Sequence, residues 1–145
     1  MAALLFAAGG KAFADVPVLR SANLKPFVGL DRLLIIFPGH GENEAVFLDQ
    51  LDQWSSSSIR LPMERRSLRV FQVVDPKIIA ALRKKMSPHE SGFRVWLIGI
   101  SDVLVLSTER EVEPSEIFER VDGLPRRSDE IRLHNEWDAG SQTGQ

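Results

Sequence analysis

Apolar residues fall along this chain in two rhythms, short continuous runs and stripes spaced three to four residues apart. Between Asp31 and Pro38 the run is nearly unbroken, as in a strand covered on both faces, and Pro38-Gly39 breaks it. From Asn43 the apolar positions Val46, Phe47, Leu51 and Trp54 recur at helical spacing, with Asn43 placed to cap the segment and Ser55 to Ser58 to end it. Leu61 to Ser67 reads as a polar, proline-containing connection, and LRVFQVV from Leu68 supplies a second strand rich in β-branched and aromatic residues. Asp75-Pro76 then reads as the cap and first residue of a helix with Ile78, Ile79, Leu82 and Met86 on one stripe. Arg83, Lys84 and Lys85 in its last turn suit the negative end of the helix dipole.

Ser87 to Gly92 is a loop, and FRVWLIGI followed by VLVLS predicts two strands joined by a tight turn near Ser101-Asp102. A last helix opens at Pro114, carries Ile117, Phe118, Val121 and Leu124 on one face, and is closed by Gly123 and Pro125. The order is β-α-β-α-β-β-α. A start with crossover helices and a hairpin before the last helix predicts an α/β fold, a thioredoxin-like sandwich with a mixed central sheet flanked by helices. The 145 residues suit one domain, expected over residues 15–132. Residues 133–145, LHNEWDAGSQTGQ, lack periodicity and read as a flexible tail whose Trp137 is available to dock on something.

Composition acts mostly by exclusion. The chain has no cysteine, which removes disulfides, thiolate metal sites and every cysteine nucleophile. A net charge of -2 gives no overall electrostatic reason to bind nucleic acid. No apolar run approaches the roughly 20 residues that cross a bilayer. The start, MAALLFAAGGKAFADVP, has a short apolar stretch and then Ala12-Phe13-Ala14, a small-x-small pattern that signal peptidase accepts. A basic n-region is missing and Lys11 interrupts the run. Residues 1–14 are therefore expected to be a signal-peptide remnant of a periplasmic or secreted protein; the alternative is a plain N-terminal arm on a cytoplasmic one.

Chemistry-bearing residues are sparse. His40, His89 and His134 have no metal-ligand spacing, so neither a metal nor another cofactor is expected. Ser55 to Ser58 and Ser101 stand in no nucleophile elbow and read as helix-end and turn residues. Trp54 and Trp96 sit in periodic segments and are expected in the core. Glu64-Arg65-Arg66 and Arg126-Arg127 are charge clusters of the kind that line solvated surface or meet an anionic partner.

The pieces DRLLIIFP, ALRKKM, SGFRVWLIG and EIFERVDGLPRRSDEIR resemble the bacterial domain-of-unknown-function family 4174, related to domains beside sushi repeats in vertebrate extracellular proteins. The resemblance spans roughly residues 30–132 and implies a thioredoxin-like, exported domain. In such a fold the loop after the first strand holds the reactive cysteines, and here that loop, FPGHGENEAVF, has none. Exposed N–H groups at the following helix start would remain, making Gly39, His40, Gly41 and Asn43 a candidate ligand site, with Glu42 and Glu44 competing for the same dipole. The function expected is a redox-inactive binding or accessory module for a protein, peptide or small ligand. The alternative is a non-thiol enzyme working through His40. Asp122, Arg126, Arg127 and Glu130 are candidates for ion pairs that hold the chain after the last helix or meet a partner.

Overall fold

A computed structural model describes residues 16–39 and 42–124 of the chain. Strand β1 (Arg32–Phe37) is central, and all six of its residues are buried. Its unbroken apolar run follows from that position, since both faces are covered. On one side lies β2 (Leu68–Gln72), parallel, with Leu34 opposite Val70. On the other lies β3 (Arg94–Ile98), antiparallel, with Ile35 opposite Trp96. Strand β4 (Leu104–Thr108) pairs antiparallel with β3, giving a four-stranded mixed sheet in the order β2-β1-β3-β4. The β3-β4 hairpin closes through Gly99 N–H to the Val103 carbonyl at 2.8 Å, with Asp102 at φ 64, a left-handed conformation that Asp tolerates.

Side chains alternate along β1 and divide the core in two. Leu34 and Ile36 meet Phe47, Leu51 and Trp54, which follow or lie on α1 (Glu42–Gln53), and Ile117 and Val121 of α4 (Pro114–Asp122). Met63 of the short helix α2 (Arg60–Arg65) joins this face. Leu33, Ile35 and Phe37 point the other way, to Leu82, Ile78, Ile79 and Met86 of α3 (Pro76–Met86) and to Leu19, Leu24 and Phe27 from the chain ahead of β1. That leading segment also lies along the outer edge of β2: Val18 bridges Gln72, and the Gln72 side chain donates to the Val16 carbonyl at 2.8 Å.

Most of the predicted elements are present, and both Trp54 and Trp96 are buried. Asp75 caps α3 as expected, its carboxylate accepting from Lys77 N–H at 2.9 Å. Two readings are corrected. Leu61 to Ser67 is not simply a connection, because Arg60–Arg65 is helical; Pro62 sits in its first turn, where a missing N–H costs nothing. Asn43 is not the cap of α1, which already begins at Glu42. Residues 1–15, His40, Gly41 and everything from Pro125 on lie outside the described residues, and with them the expected signal remnant, Arg126, Arg127, Glu130 and Trp137.

Candidate functional site: a cleft at the end of the sheet

The C-terminal ends of β1, β2 and β4 and the start of β3 share one end of the sheet, where Phe37 faces Arg94 and Val95 faces Thr108. Chain leaving β1 goes to the α1 face and chain leaving β2 to the α3 face, so the two exits diverge there. Open α/β sheets commonly bind ligands at such divergence points. A cleft of about 670 Å³ lies there. Pro38 and Val74 line it from the strand exits; Pro76, Ile79, Ala80, Arg83 and Lys84 from α3; Pro88 and Glu90 from the loop after α3. Val74, 51% exposed, forms part of its apolar wall.

Two charges in the cleft are built in. The Arg83 guanidinium lies over the Phe37 ring, 4.9 Å from its centroid, and donates through Nη2 to the Gly92 carbonyl. Burial lowers its pKa, with the Glu90 charge opposing that shift and Arg94 adding to it. An arginine remains charged through such a shift. Glu90 accepts from the Trp96 indole N–H at 2.7 Å and from the Ser107 hydroxyl, and stands 3.7 Å from Arg94 Nη1. Burial alone would raise the Glu90 carboxyl, but hydrogen bonds from Ser107, Trp96 and Ser87 and the Arg94 charge outweigh it and hold the pKa below its ordinary value. Glu90 is thus a fixed anion with its acceptor positions in use, suited to positioning rather than to taking a proton.

A second cluster joins α1 to the loop ahead of α4. Glu111 is hydrogen-bonded to Asp49, and Gln53 Nε2 donates to Glu111 Oε1 at 2.7 Å. The shared hydrogen bond with Asp49, burial and the Asp49 charge push the Glu111 carboxyl up to about 7. Beside it the fully buried Gln50 makes reciprocal bonds with the Val112 backbone, donating to its carbonyl at 2.8 Å and accepting from its N–H at 2.7 Å. These contacts bind helix to loop, and no group of three potential metal ligands occurs among the described residues.

Of the residues singled out from sequence, Gly39 and Asp122 are described and lie apart. Gly39 lies directly after the cleft-lining Pro38, whereas Asp122 is at the opposite end of the sheet, beside the start of β2. Asp122 pairs there with Arg66, Nε to Oδ1 and Nη2 to Oδ2 both at 2.9 Å. Among the described residues, the partner of this carboxylate is therefore in the Glu64-Arg65-Arg66 cluster. Sequence reasoning missed Glu90 and Arg83. A signal for the first existed: a buried tryptophan needs an acceptor for its indole N–H, and Glu90 precedes Trp96 by six residues. No described helix is long and apolar enough to cross a membrane. No protein family, curated protein or solved structure matches the chain.

Proposed function

We propose that this is a redox-inactive binding module on a thioredoxin-like sandwich, exported from the cell, with its ligand site in the cleft at the C-terminal ends of β1 and β2. Support for the fold comes from the strand order, the parallel β1-β2 pair followed by an antiparallel hairpin, and the placing of α1 and α4 on one face with α3 on the other. The resemblance to family 4174 agrees with this layout. Absence of cysteine leaves no thiolate for disulfide exchange or peroxide reduction. The observation that carries the binding reading is the cleft itself, whose volume of about 670 Å³ lies within the range of ligand sites and whose walls are mostly apolar with few charges.

The test uses a neutral fluorescent apolar probe, phenylnaphthylamine, with the full chain. Its emission should rise and saturate on titration. Ala80 is an exposed helical residue on the cleft wall, so Ala80→Phe should fill the cleft without touching the core, and abolish that rise. No saturable rise, or an equal one in the variant, overturns the reading.

A further inference from the structure

Taking the cleft as a binding site, we propose that its ligand is a small amphipathic monocarboxylate, with an aliphatic or aryl body against Val74, Ile79 and Ala80 and its carboxylate toward Arg83 and Lys84. Charge complementarity selects this class. The cleft's own anion, Glu90, is engaged by the Trp96 indole, the Ser107 hydroxyl and the Arg94 guanidinium. Arg83 instead has a carbonyl, that of Gly92, and an aromatic face, that of Phe37, and no ion pair among the described residues. Lys84, exposed on the next position of α3, adds a second positive charge to the same wall.

A neutral ligand would further desolvate the Arg83 charge without compensating it, and a cationic one would be repelled. A dianion would meet Glu90 at close range, while a single planar carboxylate matches the guanidinium fork and brings one charge only. The apolar walls then require the remainder of the ligand to be hydrocarbon.

Hexanoate and hexanamide have nearly the same shape and differ in charge, so they separate this inference from the binding reading. Each is titrated into the isotope-labelled full chain while the α3 amide signals are followed by NMR. Hexanoate is expected to shift them with a Kd about tenfold or more below that of hexanamide. Arg83→Gln should bring the two affinities together. Lys84→Gln, at an exposed position that leaves the Gly92 bond intact, should narrow the ratio without loss of folding. Equal affinities in the wild type overturn the carboxylate assignment and leave the cleft a binding site for neutral apolar molecules. Absence of shifts from either ligand overturns it as well, and saturable binding of phenylnaphthylamine then decides separately whether the cleft binds anything.

Discussion

Arg66 shows how much one side chain can join. Besides its two bonds to Asp122, its Nη1 donates to the Pro62 carbonyl at 2.9 Å, and its guanidinium lies 4.6 Å from the Phe118 ring centroid. The Asp122 carboxylate is more than half exposed, so Asp122→Asn should cost no more than about 1 kcal/mol. Arg66→Ala also loses the α2 carbonyl contact and the stacking, and should cost about 1–2 kcal/mol more. Urea unfolding of both variants checks this, and equal losses would refute the added roles of Arg66. Glu111 gives a pH prediction. Its folded pKa of about 7 is raised above the ordinary carboxyl value, so the folded state favours the protonated form. The associated stabilisation is complete at acid pH, below the ordinary value, and is lost as pH rises through about 7. Melting temperature should fall between about pH 5 and pH 8, and Glu111→Gln, which is always neutral, should flatten that slope.

Elements were legible in the sequence where a local rule and the tertiary fold agreed. β1 shows its double burial as LLIIF, and α3 announces itself through Asp75-Pro76 and a regular apolar stripe. The short α2 did not, because six residues with a proline carry too little periodicity, and its apolar contribution to the core is essentially Met63. The candidate site was half legible: the break at Pro38-Gly39 marks the right end of the sheet, but the side chains that give the cleft its chemistry come from α3 and from Glu90, joined only by tertiary folding. Gln50 was hidden for the same reason. Inside an amphipathic helix it looks like a boundary residue, yet it satisfies both backbone groups of Val112, 62 positions away. Gln50→Leu orphans a buried N–H, and should lower stability by about 1–3 kcal/mol in thermal unfolding. Wild-type stability in that variant would mean that the α1-α4 seam is held by its apolar contacts alone.

Across the whole molecule, two unequal covers hold the sheet. Among the described residues, the α1 face is closed by three helices and Val16, whereas the α3 face depends on one helix plus the extended chain ahead of β1. That extended chain supplies Leu19 and Leu24 to the second core cluster and runs beside β2, where Leu19 N–H donates to the Gln72 carbonyl at 2.8 Å and Gln72 N–H to the Pro17 carbonyl at 2.9 Å. A strand edge left bare is a template for another chain. Residues 16–24, which lie along that edge at Gln72, are therefore expected to guard it against self-association. A chain shortened to begin at Lys25 uncovers backbone of β2 together with Phe71 and Val73, and should scatter light increasingly with concentration while a chain beginning at Val16 stays clear. If the shortened chain scatters as expected, the same few residues that finish a core also keep copies of the protein separate in a crowded solution.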